Sequence, residues 1–122
     1  MTQDLLDSTI VIDHLNGIAV AGAFIASSEA PAISIITWIE VMAGLAPGQA
    51  ESAGRWLLKN LELLSLSESI SEEAVKIRRL GRLKLPDAII LATARSHGLR
   101  LVTRNTKDFR PEDGDILVPY RL

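Results

Sequence analysis

Cysteine is absent from this 122-residue chain, which excludes disulfides and zinc–thiolate sites and suits a reducing compartment. Long apolar runs are missing too. The stretch from Ile18 to Ala26 falls well short of the roughly 20 residues needed to cross a bilayer, and it gives way to Ser27-Ser28-Glu29. The start, Met1-Thr2-Gln3-Asp4, is acidic where a secretory leader is basic, so a cytoplasmic location and no membrane contact are expected. There is no surplus of positive charge. Thirteen Lys and Arg against 15 Asp and Glu leave a net charge of −2, which excludes a surface coated in positive potential but leaves room for a local nucleic-acid-binding face. His14 and His97 have no paired His or Cys, and His97 fits the last turn of a helix, where positive charge is favoured. Repeats, low-complexity tracts and linkers are absent.

An apolar fraction of 48% is instead that of a folded chain, most simply one domain over residues 1–122. Leu5-Leu6 reads as a short strand running into Asp7. Ser8 or Thr9 can cap a helix through Leu15 that stops at Asn16-Gly17. An alanine-rich helix from Ile18 to Ser28 is broken by Pro31, and Ala32 to Ile35 suits a buried parallel strand. A helix begins at Thr37 and ends at Gly44 and Pro47, and another spans Gln49 to Asn60. Leu61 to Leu66 is a third strand, and Ser69 with Glu72 fits a capping box for a helix that Gly81 stops. Pro86 opens a helix over Ala88 to His97, with Gly98 as its stop. Leu99 to Thr103 and Ile116 to Val118 complete the strands. The order β-α-α-β-α-α-β-α-α-β-α-β implies an α/β fold, a mostly parallel sheet with helices on both faces.

Carboxylates stand where this pattern turns from apolar run to helix: Asp7 after Leu5-Leu6, Glu40 in Thr37-Trp38-Ile39-Glu40, and Asp87 in Leu85-Pro86-Asp87-Ala88. Each has a local explanation. Asp7 can be an N-cap, Glu40 stands three residues after Thr37 as in a capping box, and Asp87 meets the positive end of a helix dipole. Together they mean more. An α/β sheet gathers functional residues at the carboxyl ends of its strands, and several acids in one crevice repel unless a cation neutralises them. Oxygen donors select a hard ion such as Mg²⁺, which lowers the pKa of bound water and polarises a phosphoryl oxygen. Thr103-Arg104-Asn105-Thr106-Lys107-Asp108-Phe109 adds a fourth oxygen-rich segment. Ser8 and Thr103 read as capping or strand-end residues, and Asp4, Asp13, Asp113 and Asp115 as solvated acids. Two basic clusters, Arg78, Arg79, Arg82 and Lys84, then Arg95, Arg100, Arg104, Lys107 and Arg110, read as solvated faces or as a rim for an RNA backbone.

With these residues placed, the chain resembles the PIN-domain ribonucleases, most closely the VapC-type toxins of toxin–antitoxin pairs. Four motifs carry the resemblance over nearly the whole length: Leu5-Leu6-Asp7-Ser8-Thr9-Ile10-Val11-Ile12-Asp13, Thr37-Trp38-Ile39-Glu40-Val41-Met42-Ala43-Gly44, Pro86-Asp87-Ala88-Ile89-Ile90-Leu91-Ala92-Thr93-Ala94, and Leu101-Val102-Thr103-Arg104-Asn105-Thr106-Lys107-Asp108-Phe109. The resemblance implies a three-layer α/β/α PIN-like domain with about five parallel strands. It also implies a Mg²⁺- or Mn²⁺-dependent endoribonuclease with Asp7, Glu40 and Asp87 as metal-binding acids. The fourth position falls to Asn105, as a neutral ligand or substrate contact, or to Asp108, as a further metal-binding acid. Ser8-Thr9 departs from the family's commoner Thr-Asn pair, keeping a hydroxyl and losing an amide. A homodimer and a separate VapB-type antitoxin are implied as well. An apolar surface near Leu15, Ile18, Phe24, Trp38 or Trp56 could receive the antitoxin's helix, against the plainer reading of both tryptophans as core.

Two other phosphate chemistries fit less well. A haloacid-dehalogenase-type phosphatase needs a second aspartate two residues after the first, where Thr9 stands. A receiver domain needs a phosphorylatable aspartate after its third strand, where the chain reads Leu66-Ser67-Glu68. The alternative of another kind is a PIN-like module that grips nucleic acid or a partner without cutting.

Overall fold

The computed structural model describes residues 3–122; Met1 and Thr2, which begin the acidic start, lie outside the described residues. The elements run β1 (Asp4–Leu6), α1 (Ser8–Leu15), α2 (Ala19–Ser27), β2 (Ala32–Ser34), α3 (Ile35–Ala43), α4 (Gln49–Lys59), β3 (Glu62–Leu64), α5 (Glu68–Arg79), α6 (Leu85–Ser96), β4 (Arg100–Val102) and β5 (Ile116–Leu117). This is the order the sequence implied, except that a single 3₁₀ turn at Pro111–Asp113 stands between β4 and β5. All five strands are parallel, in the order β3-β2-β1-β4-β5.

Period-two alternation splits the core. Leu5, Ala32 and Leu101 face a layer made mainly by α5 and α6, with Ile70, Ile77, Ile90 and Leu91. Their neighbours Leu6, Ile33 and Val102 face the other layer, with Ile10 and Val11 of α1, Val41 of α3 and Leu58 of α4. Both faces of the central strands are therefore buried, which is why Leu5-Leu6, Ala32-Ile33 and Leu101-Val102 read as apolar pairs without alternation.

Capping differs locally from expectation. Thr37 does not start α3: Ser34 does, its Oγ accepting from the Thr37 amide at 3.1 Å. Glu40 is thereby left inside the helix, not in a capping box. Likewise Ser67, not Ser69, caps α5, accepting from the Ile70 amide at 3.2 Å. In both cases a serine nearer the strand takes over as the turn tightens. The predicted third strand, Leu61 to Leu66, shrinks to three residues at the sheet edge, where only β2 is left to pair with.

The chain order also locates the crevice. From β1 it moves outward through β2 to β3, then returns to place β4 on the other side of β1. That reversal is a topological switch point, and ligands of open α/β sheets bind beyond the strands' carboxyl ends there.

Candidate active site

Asp7 follows the last residue of β1 at the switch point, its amide donating to the Val102 carbonyl of β4 at 2.9 Å. It occupies the position before α1, yet its side chain makes no capping hydrogen bond. Instead two hydroxyls converge on one of its oxygens: Thr103 Oγ1 donates to Oδ2 at 2.7 Å and Thr9 Oγ1 at 3.1 Å. Burial nevertheless raises the Asp7 carboxyl above its ordinary value, with the two hydroxyls and the nearby Ser8 and Thr9 amides pulling the other way.

Glu40 projects from the middle of α3. Burial raises its carboxyl, and the negative charge of Asp7 adds to the effect against the pull of the Ser8 hydroxyl. Its Oε1 is shut away from solvent without a hydrogen-bond partner among the described residues. Asp87, in the first turn of α6, is pushed up to about 6. Burial is the main cause, followed by the charges of Asp7, Asp108 and Glu40, while Lys84 at the same helix end opposes them. Four carboxylates from four separate segments therefore share one field.

Asn105 and Asp108 belong to one turn. Asn105 Nδ2 donates to Asp108 Oδ2 at 3.0 Å, and the Asp108 amide donates back to Asn105 Oδ1 at 3.3 Å. The Asn105 amide in turn donates to Thr103 Oγ1 at 3.0 Å, the hydroxyl that holds Asp7. Fully buried Phe109 anchors the turn to the core. Thr9 and Thr103 are the residues that sequence reading undervalued: strand-end hydroxyls look like backbone caps until the tertiary fold brings a carboxylate against them.

The donor set is all oxygen, which fits a hard cation. So does a buried, unpartnered Glu40 oxygen, since such a group costs free energy unless something pairs with it. Among the described residues no group of three or more acids or histidines forms a ready-made ligand cage. Mg²⁺ needs no such cage, since it keeps several waters and takes one or two carboxylates directly.

Several acids and bases expected at the surface are spent elsewhere. Asp4 and Asp13 are buried, not solvated. Asp4 pairs with Arg100 at 2.9 Å and accepts from Ser28 at the opposite end of β1 from Asp7. Asp13 accepts two bonds from Arg104 and one from Tyr120. Asp113 pairs with Arg82, and Asp115 with Arg95. The basic clusters therefore thin out: among the described residues Arg78, Arg79, Lys84, Lys107 and Arg110 make no ion pair.

Two apolar hollows lie outside this site. One, of about 600 Å³, is lined by Trp38, Trp56, Leu58, Leu61 and Leu63 with Arg55 and Lys59. Trp56 is 71% exposed and so is not core, whereas Trp38 is half-buried under the Arg55 guanidinium, 6.0 Å from its ring. Leu15 and Phe24 pack on the core. The other hollow, about 360 Å³, lies between α5 and the start of α6 and includes Leu66, Val75, Leu85 and Ile89.

The PIN domain family matches residues 5–111. Ribonuclease VapC10 of Mycobacterium tuberculosis is 30% identical over 113 residues, which cover 86% of this chain and 84% of that protein. A chain of a toxin–antitoxin complex from Klebsiella pneumoniae is 42% identical with a TM-score of 0.89, over 98% of this chain and all of that one. A chain of DNA-bound VapBC from Salmonella typhimurium shares the fold at a TM-score of 0.79 and 22% identity, over 98% and 100% of the two chains. Among the described residues no helix is long and apolar enough to cross a membrane.

Proposed function

The chain belongs to the PIN-domain family, and on that footing we propose that it is a metal-dependent endoribonuclease, the toxin of a type II toxin–antitoxin pair. It hydrolyses RNA phosphodiester bonds in the crevice between Asp7, Glu40, Asp87 and Asp108. The observation that carries this reading is the convergence of those carboxylates: the charges of Asp7, Asp108 and Glu40 add to burial in raising Asp87 to about 6, and Glu40 Oε1 lies buried without a partner among the described residues.

In this reading Asp7, Glu40, Asp87 and Asp108 hold Mg²⁺ or Mn²⁺, and Asn105 sets the orientation of Asp108 through its side-chain amide. When bound, such a cation polarises a phosphoryl oxygen and makes water a better nucleophile at neutral pH. The chain supplies the rest. Thr9 and Thr103 hold the Asp7 carboxylate in place, their hydroxyl hydrogens committed to it and not to substrate. Asp87 helps hold the cation, whose charge replaces the proton that burial and the neighbouring carboxylates favour in its absence. Lys84, the cation that offsets Asp87, meets the negative phosphodiester as it enters.

The partner is a VapB-type antitoxin made as a separate chain. Its C-terminal segment covers the acidic crevice, and its apolar residues lie in the hollow at Trp38 and Trp56. A second copy of this chain completes the assembly as a homodimer. All of this is carried by one domain over residues 1–122.

The test is cleavage of RNA by purified protein freed of its partner, with Mg²⁺, Mn²⁺ or chelator. Metal-dependent cleavage that Asp87→Asn abolishes supports the reading. RNA that is bound and never cut, with wild-type protein and either metal, replaces it with a PIN-like module that grips without cutting.

A further inference from the structure

Asp13, Arg104 and Tyr120 come from the last turn of α1, the residue after Thr103, and the segment beyond β5. They meet at one half-buried point, with Asp13 on its inner side. Arg104 Nε donates to Asp13 Oδ2 at 2.7 Å and Nη2 to Oδ1 at 2.9 Å, while Tyr120 Oη donates to Oδ2 at 2.8 Å. Asp13 is 5% exposed. The guanidinium fork is filled by both carboxylate oxygens, a geometry that fixes direction as well as distance. Arg104 is therefore not a spare cation for an RNA backbone.

A buried ion pair is weak support for stability by itself, since desolvation offsets much of the attraction. What surrounds this one gives it another use. The Arg104 amide donates to Thr9 Oγ1 at 3.2 Å, and Thr9 Oγ1 donates to Asp7. The next amide, of Asn105, donates to Thr103 Oγ1, which also donates to Asp7. Arg104 thus sits between the two threonines that hold Asp7, and it ties the turn to α1 twice, through its amide at Thr9 and through its side chain at Asp13. The Thr106 amide bonds to the Arg104 carbonyl at 3.1 Å, continuing the turn toward Asp108.

We propose that Asp13, Arg104 and Tyr120 are positioning residues, a clasp that sets the Thr103–Asp108 turn against Asp7 and so sets the geometry of the acidic crevice. The proposal rests on the nuclease reading for its effect on rate, and on the structure alone for its effect on the turn. None of the three touches substrate. Their contribution is the placement of Thr9, Thr103, Asn105 and Asp108, and small misplacements of such groups are expensive in rate.

The experiment uses full-length protein freed of its partner. Tyr120→Phe, which removes one hydroxyl, is compared with Asp13→Asn and Arg104→Lys by RNA cleavage kinetics and by amide hydrogen exchange. The expected result is a fall in kcat of about twofold for Tyr120→Phe and about tenfold for the other two, with KM unchanged. Amide exchange should quicken at residues 103–108 beyond any change in the β1 and β4 amides. Arg104→Lys should resemble Asp13→Asn, because lysine keeps the charge and loses the fork. Unchanged kcat in all three, full activity in Arg104→Lys, or exchange that rises evenly through the molecule would overturn the clasp. Should wild-type protein cut no RNA, the nuclease reading falls, and the exchange pattern still decides whether the clasp holds the turn.

Discussion

Thr103 and Asp7 are 96 residues apart in sequence and 2.7 Å apart in space, the threonine hydroxyl donating to Asp7 Oδ2. The contact exists because β4 pairs with β1, Val102 opposite Leu6, so the residues just beyond both strands arrive at the same edge. The turn that carries Asn105 and Asp108 is placed relative to that junction.

If the carboxylates share one field, removing one charge must be felt by another. Asp7→Asn is expected to lower the titration midpoint of Asp87 from about 6, since Asp7 is the largest of the like charges that raise it. Burial, the main cause, remains, so the midpoint stays above that of a free carboxylate. Carboxyl NMR titration of the metal-free protein reads this directly. An unmoved midpoint would falsify the shared crevice.

The sign for stability follows from the same shift. Asp87 holds its proton more tightly folded than unfolded, so its contribution to stability is full below the unfolded value near 4 and is lost as pH rises through about 6. Metal-free protein should therefore gain more from Mg²⁺ or Mn²⁺ at pH 7.5 than at pH 5.5, where bound protons compete. A ligand at a hundred times its Kd adds about 2.7 kcal/mol, enough to see as a rise in Tm. Sodium at equal ionic strength should produce none of it, and Glu40→Gln should reduce it. Equal melting curves in the divalent and monovalent salts would count against the metal site.

Asp7→Asn and Asp87→Asn should each abolish RNA cleavage while the far-UV spectrum stays native, because each removes a charge without changing shape. Asn105→Ala should be milder than Asp108→Asn, as it removes the group that orients Asp108 and not the charge itself. The reverse ranking would make Asn105 the direct ligand.

Unpaired and paired cations should behave differently toward RNA. Lys84→Ala and Lys107→Ala are expected to raise KM and to reduce the salt dependence of binding by roughly 0.7 in log–log slope for each phosphate that is no longer neutralised. Arg82→Ala, whose guanidinium is held by Asp113 at 2.8 Å, should leave that slope unchanged. Binding measured across a salt series decides, and equal effects from all three would mean that the ion pair opens to bind RNA.

Trp56 stands out of the surface beside half-buried Trp38. Trp56→Ala should weaken the complex with the antitoxin, on the order of tenfold or more for a fully covered aromatic anchor, and leave cleavage by free protein unaltered. If a basic side chain of the antitoxin's C-terminal segment pairs with Asp7 or Asp87 in the crevice, replacing it should instead relieve inhibition while the complex still forms. Titration calorimetry and cleavage assays on co-purified partners separate the two effects.

Much of the architecture was legible in the amino-acid sequence because it rests on short-range physics. Leu5-Leu6, Ala32-Ile33 and Leu101-Val102 are buried on both faces and so read as apolar runs, while Gly17, Gly81 and Gly98, each with φ above +60°, stop helices where glycine was expected to. The acids of the crevice were visible for the same reason: Asp7, Glu40 and Asp87 interrupt or closely follow such runs. Capping serines were harder to place, since Ser34 against Thr37 and Ser67 against Ser69 differ by less than a turn and the strand end decides between them.

What the sequence could not contain is which charge meets which. Arg82, Arg95, Arg100 and Arg104 look no different from Lys84 and Lys107 along the chain, yet the first four are paired with Asp113, Asp115, Asp4 and Asp13. Asp13 and Arg104 are separated by 91 residues, and no local pattern records a contact that depends on β4 returning to the side of β1. Local propensity and hydrophobic periodicity act within a few residues, so they settled the elements and marked the acids. Strand order acts across the whole chain, and by setting β4 beside β1 it decided that Thr103 would hold Asp7 and that Arg104 would be tied to Asp13 of α1.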